Sequence, residues 1–273
     1  DTNQSSQTFV GWSWKAGGSK NTFNVDDVGY ASAAAAGLDG GNKTPTGASV
    51  GTKQGFSIIK YDGTTGSSTN TISHGLLQAP TFLIVKGLTG TNAANDWFVY
   101  HKDIGATKRI RLNLTNAADT QNWLGNTVPT SSLVTITQGW YSVNYNGHTH
   151  IMYAWHDVPG LQKFGTYEGT GNASTGPFVE LGFKPALLIV KNMDDSENWY
   201  IYDTKRSPSN VAYQTLLASS SGQEEAGTGN TRIDLLSNGF KLRQGNGPNN
   251  SNTYIYAAWA EAPEFNLYGA QSN

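Results

Sequence analysis

The sequence predicts an all-β protein made of tandem antiparallel β-sandwich modules, and three observations support this prediction. Apolar residues occur in short runs that alternate with polar residues or are rich in β-branched and aromatic side chains. Gly (32), Thr (29) and Asn (25) make up nearly a third of the 273 residues, and these types favour strands or turns over helices. A set of landmarks also recurs about 100 residues later in the same order.

The predicted strands follow one another closely along the chain. In order, the clearest runs are residues 55–61, 80–86, 96–101 and 109–114. Clusters of Gly, Asn, Thr and Ser separate them, as at residues 62–70 and 87–95. Short strands at this spacing are typical of a sandwich or a barrel.

An internal repeat divides the chain into modules. Residues 149–155 recur as residues 253–259, and both segments end in Trp. Further matches pair residues 80–86 with 185–191, residues 97–100 with 199–202, and Gly139-Trp140 with Gly239-Phe240. We therefore predict duplication, with one module at residues 51–157, a second at 158–265 and a C-terminal tail at 266–273. Each module is long enough for about seven short strands.

The same closing strand occurs a third time at the start of the chain. Residues 8–14 align with residues 149–155, which places Trp14, Trp155 and Trp259 at one position of the module. We expect residues 1–14 to be the orphan closing strand of an upstream module in a processed, trimmed or partial chain. Such a strand needs an open sheet edge, in this chain or in a neighbouring copy. Residues 15–50, rich in Gly, Ala and Asn, are expected to form an ordered linker or flap.

Composition excludes several partners and site types. The formal net charge is −2 and basic runs are absent, so no nucleic-acid partner is expected. The chain has no Cys, which excludes disulfides, thiolate zinc ligands and a thiol nucleophile. No apolar run reaches the roughly 20 residues of a membrane helix, so no membrane insertion is predicted.

Two clusters are candidates for metal binding. His148 and His150 lie on one face of a predicted strand and would suit a metal or acid–base chemistry, but a solvated strand end is the expected explanation. For Asp194, Asp195 and Glu197 a solvated loop is expected, and calcium is the leading alternative. We therefore predict no metal and no cofactor, with calcium as the one alternative.

Sequence signals for catalysis are missing. The sequence has no Gly-x-Ser-x-Gly elbow and no Gly-x-Gly-x-x-Gly turn followed by a helix. Sequence cannot show whether two carboxylates face each other at the separation that glycoside cleavage needs. We therefore predict a protein that is not an enzyme.

Aromatic residues are the better guide to function. Exposed Trp and Tyr beside Asn-rich loops suit sugar stacking and protein interfaces. Core packing is expected for the three repeated tryptophans, whereas Trp123 has no counterpart in the second module. The predicted ligand-binding residues are Asn122, Trp123, Tyr145, His148 and His150.

Several motifs together resemble a family of repeated β-modules in virion appendage proteins of marine tailed phages. The motifs are residues 9–18, 21–30, 55–61, 74–80, 237–243 and 254–263, and they cover nearly the whole chain. The resemblance implies a lectin-like or jelly-roll-like sandwich on tail fibres or related virion parts, without an assigned catalytic set. It carries over no functional residue.

These observations lead to one functional expectation and two alternatives. We expect a non-enzymatic virion component, extracellular on the particle, that presents its sandwiches for host-surface glycan recognition or for assembly. Its expected partners are other virion proteins and copies of itself, by analogy with trimeric fibres. The alternatives are a secreted surface or filament subunit assembled by strand donation, and a glycan depolymerase.

Overall fold

The computed structural model describes residues 5–6, 8–64, 69–90, 96–137, 139, 142–226 and 232–261. These residues form β-strands, turns and one short 3₁₀ helix, Gly247–Asn249, so the all-β prediction is confirmed. No helix in the described ranges has the length and apolar character needed to cross a membrane. Trp140 of the predicted repeat and the predicted tail at 266–273 lie outside the described residues.

Twenty strands are present in the described part of the chain. They are β1 Phe23–Val25, β2 Val28–Tyr30, β3 Gly47–Gly51, β4 Phe56–Asp62, β5 Thr69–Ser73, β6 Phe82–Gly87, β7 Phe98–His101, β8 Lys108–Arg111, β9 Asp119–Thr120, β10 Leu133–Thr137, β11 Thr149–Trp155, β12 Gln162–Glu168, β13 Phe178–Glu180, β14 Pro185–Asn192, β15 Trp199–Asp203, β16 Gln214–Leu217, β17 Glu225–Ala226, β18 Ile233–Leu236, β19 Gly239–Leu242 and β20 Thr253–Ala260. All four predicted runs coincide with strands β4, β6, β7 and β8.

The strands form two large sheets and two small ones. The first large sheet has the order β2-β1-β3-β4-β11-β6-β7-β8-β9, and β5 pairs with β10 beside it. The second large sheet has the order β12-β20-β14-β15-β16-β17, and β13, β19 and β18 form its small companion. Almost every pairing is antiparallel; β1 with β3 is parallel.

The sheets stack in four layers, and an apolar core lies between each layer and the next. One core lies between the first large sheet and the β5–β10 pair, and another lies between the second large sheet and its companion. The third core joins the two large sheets to each other. On β6, for example, Leu83 and Val85 belong to the first core, while Phe82 and Ile84 belong to the third. Central strands are therefore apolar on both faces, which explains their continuous hydrophobic runs.

The two halves repeat the same strand order. The series β4-β11-β6-β7-β8-β9 in the first large sheet corresponds to β12-β20-β14-β15-β16-β17 in the second. Individual hydrogen bonds also occur at equivalent positions in the two halves. The Tyr61 hydroxyl donates to the Val143 carbonyl at 2.5 Å, and the Tyr167 hydroxyl donates to the Pro248 carbonyl at 2.6 Å. Duplication of one ancestral module stays a prediction from the sequence.

One of the sequence matches does not agree with the sheet pairing. The match of Gly139-Trp140 with Gly239-Phe240 would place Gly139 on the counterpart of β19. However, β19 pairs with β13, and the corresponding pair in the first half is β10 with β5. Since Gly139 lies after β10, the strand that corresponds to β19 is β10.

The predicted organisation of the first 50 residues is also different in the structure. Residues 15–50 are not a separate linker, because β1, β2 and β3 extend the first large sheet beyond β4. Residues 8–14 contain no strand. Within this chain the orphan segment attaches through Trp14, whose ring contacts Trp155 and Trp259, instead of through backbone pairing. Side-chain packing thus holds a segment whose sequence resembles a strand.

The two predicted modules pack against each other. Phe82 of the first large sheet stacks on Phe164 of the second, with ring centroids 5.2 Å apart and an angle of 12° between the planes. The His101 imidazole also reaches the Tyr256 carbonyl, with an Nε2–O distance of 3.3 Å. Residues predicted to belong to different modules therefore share one core.

Candidate functional site

Trp123 is not a surface residue, and the prediction that it recognises a ligand from the surface is wrong. Its side chain is fully buried in the core of the first half. The indole N–H donates to the Lys108 carbonyl at 3.1 Å, and the ring meets the edge of Phe98. The neighbouring Asn122 is exposed and accepts a hydrogen bond from Thr137 through its backbone carbonyl. An Asn-rich sequence thus surrounds a core residue.

Tyr145, His148 and His150 lie close together at the start of β11, where their rings pack against one another or against Tyr61. The rings of Tyr145 and His148 are 5.1 Å apart, and His150 stacks on Tyr61 at 5.3 Å. The backbone N–H of Tyr145 donates to Nε2 of His150 at 3.4 Å. Both histidines are buried, so they are not a solvated strand end. Across the described residues, no three His, Asp or Glu side chains are placed to hold a metal ion.

The carboxylates of Asp194, Asp195 and Glu197 accept hydrogen bonds from the protein itself. Asp194 accepts the backbone N–H of Thr253, Asp195 accepts the Asn252 amide, and Glu197 accepts the Asn192 and Asn250 amides. Burial raises the pKa of Glu197. The cluster fastens the loop after β14 to the start of β20, and the calcium site stays a prediction.

A buried lysine near the end of β14 lies beside this loop. The Lys191 ammonium donates to the carbonyls of Asn192 and Asp195, at 2.7 and 3.5 Å. Burial lowers the pKa of Lys191 to about 8. The ammonium group of Lys191 thus lies beside the carboxylates that are the calcium candidates.

A large cleft lies where the two large sheets meet residues 11–15. Its volume is about 720 Å³, within the range of roughly 300–1,000 Å³ that is usual for small-molecule sites. The residues that line it are Gly11, Trp12, Ser13, Trp14, Lys15, Gln54, Phe56, Leu161, Gln162, Ala186, Leu187, Asp203, Thr204, Lys205, Trp259, Ala260 and Glu261. We call this site the aromatic cleft.

The three repeated tryptophans meet at the aromatic cleft. Trp14 lies 5.3 Å from Trp259 and 6.3 Å from Trp155, and the latter two are 6.0 Å apart, all with edge-to-face geometry. Trp155 and Trp259 are buried, which confirms the core packing expected for them, whereas Trp14 is 37% exposed. The repeat therefore puts buried aromatic rings behind an exposed one.

Several polar atoms of the aromatic cleft lack a partner within the described structure. They are the indole nitrogens of Trp12 and Trp259, the side-chain carbonyl oxygen of Gln54 and the hydroxyl of Thr204. Each atom is almost inaccessible to solvent. Leaving a buried donor or acceptor unpaired costs about 1–3 kcal/mol. A change of side-chain rotamers, which is common on binding, would expose these atoms to a partner molecule that supplies the hydrogen bonds.

The charged groups of the aromatic cleft are, in contrast, paired with other residues. Asp203 is buried and accepts from Arg206 Nε at 2.6 Å, and Lys205 forms an ion pair with Glu261 at the rim. The hydrogen bond from Lys205 lowers the pKa of Glu261. Lys15 pairs with Asp27 at 2.7 Å. The cleft is thus rich in unpaired neutral polar atoms and has balanced charges.

One protein-family model matches nearly the whole chain. A family model described as "Domain of unknown function (DUF7483)" matches residues 1–263. The chain belongs to this family. The DUF7483 region includes both halves and the first 50 residues, so it contains every part of the aromatic cleft. No curated protein and no solved structure matches the chain.

The aromatic cleft was missed by the sequence predictions, with one partial signal. Trp12 and Trp14 lie in the third copy of the closing strand, and the repeat aligned Trp14 with Trp155 and Trp259. In the structure these three tryptophan rings are in direct contact. Nothing in the sequence marks Gln54 or Thr204, since only the packing of distant segments leaves their polar atoms without partners.

Proposed function

We propose that this chain is a non-enzymatic recognition module that binds a host-surface glycan in the aromatic cleft. One observation carries the proposal: exposed Trp14 stands beside unpaired indole, amide and hydroxyl groups. An aromatic face stacks on the C–H face of a sugar ring, while polar groups around it bind the hydroxyls.

The resemblance to phage appendage modules supplies the biological setting of the proposal. In that setting the protein is an extracellular virion structural component, and copies of the chain assemble with other virion proteins. Several copies on one particle would raise the effective affinity for a repeating glycan without any new contact. A rigid four-layer stack suits this role because the cleft is held by both large sheets.

A glycan array tests the proposal directly. Wild-type protein should bind at least one host polysaccharide, and Trp14→Ala should reduce that binding while the far-UV circular dichroism spectrum is unchanged. Tyr213→Ala is the matched control, because Tyr213 is also an exposed aromatic residue but lies outside the aromatic cleft. Equal loss of binding in both variants, or no binding by the wild type, would contradict the proposal.

Strand donation is a second candidate, favoured by one open edge. In the first half β4 pairs with β11 on one side and with β3 on the other. Its counterpart β12 pairs only with β20 among the described strands. Asp157 blocks part of this edge by accepting the Phe164 backbone N–H at 2.8 Å, a usual way to protect an edge strand. Loss of oligomers in size-exclusion chromatography after deletion of residues 1–14 would support assembly by donation.

The depolymerase alternative finds two carboxylates in the cleft, but their settings do not suit acid catalysis. Glycoside cleavage needs one carboxyl group that stays protonated through a raised pKa. Lys205 instead lowers the pKa of Glu261, and Asp203 is held by Arg206. New reducing ends released from host polysaccharide, and lost in Asp203→Asn or Glu261→Gln, would establish this alternative.

A further inference from the structure

We infer that the aromatic cleft selects an uncharged oligosaccharide of more than one ring, which continues from the cleft into an adjoining depression. This inference rests on the proposed glycan binding and adds the charge class and the length of the ligand. Charge pairing, the set of unpaired polar atoms and the shape of the surface support it independently.

The charges of the site give an ionic ligand little to bind. Asp203 is already paired with Arg206, and Lys205 with Glu261. A charged ligand would have to break the buried Asp203–Arg206 pair, which costs free energy, or compete for the exposed Lys205–Glu261 pair, which contributes less. Among the described residues that line the two spaces, Lys184 is a further cation; it is exposed, and its charge acts on Glu261. Exposed charges are strongly screened, so Lys184 adds little selectivity for anions.

Once a rotamer change exposes them, the unpaired atoms suit a ligand with both donors and acceptors. The Trp12 and Trp259 indoles can only donate, the Gln54 side-chain oxygen can only accept, and the Thr204 hydroxyl can do both. A neutral sugar presents several hydroxyl groups, each of which is a donor and an acceptor, around a ring with an apolar face. A purely apolar ligand would leave all four groups unpaired.

The shape of the surface indicates a ligand longer than one ring. A second depression of about 260 Å³ adjoins the aromatic cleft and shares Ala186, Thr204, Ala260 and Glu261 with it. Its far side is formed by Phe183, Lys184 and Ser237. Thr204 therefore lies at the junction, where a ligand that occupies both spaces must pass. Adjacent sugar units of one chain would fill them in succession.

Calorimetric titration with defined sugars tests the inference. The neutral probes are gluco-, manno- and chito-oligosaccharides of one to five rings, and the charged probes are oligogalacturonates and sulfated disaccharides. We expect neutral probes to bind, with affinity that rises at least fivefold from one ring to three. Charged probes that bind more tightly, with the same loss in Trp14→Ala, would overturn the inference and leave glycan binding in the cleft intact. Equal affinity for one ring and three would overturn the predicted length.

Two variants connect binding to named atoms. Trp14→Ala should weaken the neutral probe by about tenfold through loss of stacking. Thr204→Val removes a hydroxyl without changing the shape of the side chain, and should weaken the probe by about fivefold. Because that hydroxyl is buried and unpaired without ligand, Thr204→Val should melt at the same or a higher temperature than the wild type. A lower melting temperature together with unchanged affinity would show a structural role for Thr204 and contradict the inference.

Discussion

Leu77 has a left-handed backbone conformation, and the equivalent position in the second half of the chain is a glycine. Leu77 has φ 64° and its side chain is 75% exposed, whereas Gly182 has φ 83°. Both follow a buried leucine, Leu76 or Leu181, in the loop before the next large-sheet strand. Left-handed φ costs roughly 1–2 kcal/mol for a residue with a Cβ atom, and the exposed side chain recovers little of it.

Replacing Leu77 by glycine should therefore stabilise the protein. The relief of strain exceeds the entropy cost of glycine, so we expect Leu77→Gly to raise the free energy of unfolding by about 0.5–1 kcal/mol. Urea denaturation provides the measurement. Leu76→Gly is the control and should destabilise strongly, because Leu76 is buried. A destabilising Leu77→Gly would show that the exposed leucine contributes to the fold.

Two buried histidines make the fold sensitive to acid. Burial lowers the pKa of His101 to about 3 and that of His74 to about 4. Desolvation keeps each ring neutral, although the hydrogen bonds to the Tyr256 carbonyl (His101) and to the Thr130 carbonyl (His74, 3.1 Å) act in the opposite direction and raise the pKa. Below pH 6.5 the unfolded chain therefore binds protons that the folded chain still excludes.

Stability should fall as the pH decreases from about 6.5 to about 4. Each histidine contributes a slope of up to about 1.4 kcal/mol per pH unit, since the unfolded state binds the extra proton. Urea denaturation at several pH values measures the slope for the wild type and for His101→Gln, which keeps a donor for Tyr256. The variant should lose stability less steeply than the wild type. Identical slopes would mean that His101 already binds its proton in the folded state.

At the level of secondary-structure elements, the same two contacts occur in each half, just after β4 and just after β12. Gly63 after β4 lies against the Tyr145 carbonyl, and Gly169 after β12 lies against the Asn250 carbonyl; a Cβ atom at either glycine would overlap that oxygen. The neighbouring backbone N–H of Thr170 donates to the Asn249 side chain at 2.9 Å, as that of Thr64 does to the Asn144 side chain at 3.1 Å. Close backbone approach thus fixes where each strand leaves its sheet.

Alanine at Gly169 should weaken this junction. Since the obstacle is backbone and not a flexible side chain, Gly169→Ala should lower the free energy of unfolding by about 2 kcal/mol or more. Chemical denaturation measures the change. Gly11→Ala is the matched control, because no atom lies within 4 Å of its added Cβ and its φ is not positive, so it should be nearly neutral. Equal effects of both substitutions would argue against the close approach.

At the level of the whole molecule, the core between the large sheets makes the two halves one folding unit. Phe82, Phe164, Trp155 and Trp259 belong to this core, and their rings contact one another across the two sheets. Either half alone would expose this apolar face to water, at a cost of about 25 cal/mol per Å². The halves are therefore expected to unfold together.

Unfolding should be a single transition that the shared core controls. Tryptophan fluorescence and far-UV circular dichroism should give coincident urea curves, since the tryptophans lie in different halves. Phe164→Ala should lower the free energy of unfolding by about 3–5 kcal/mol. Phe178→Ala, at a phenylalanine that is 44% exposed, should cost about 1 kcal/mol or less. Two separate transitions in the wild type would contradict a single folding unit.

The all-β class, the positions of the main strands and the repeat of their order could be predicted from the amino-acid sequence. These follow from local properties: side-chain alternation, turn residues and recurring motifs are visible along the chain. Strands β4, β6, β7 and β8 lie where the alternating runs predicted them. The repeat also aligned Trp14, Trp155 and Trp259 before their contact was visible.

Which aromatic residues are buried and which line the aromatic cleft depends on the tertiary structure. Trp123 and Trp14 are both tryptophans in polar sequence, yet one is fully buried and the other is 37% exposed. A strand with apolar residues on both faces gives no local sign of its environment when another sheet covers each face. The aromatic cleft joins residues near 12, 54, 204 and 259, and its unpaired atoms depend on how those distant segments pack. Burial and hydrogen-bond partnership are non-local, so the alternation of side chains along the chain could not predict them.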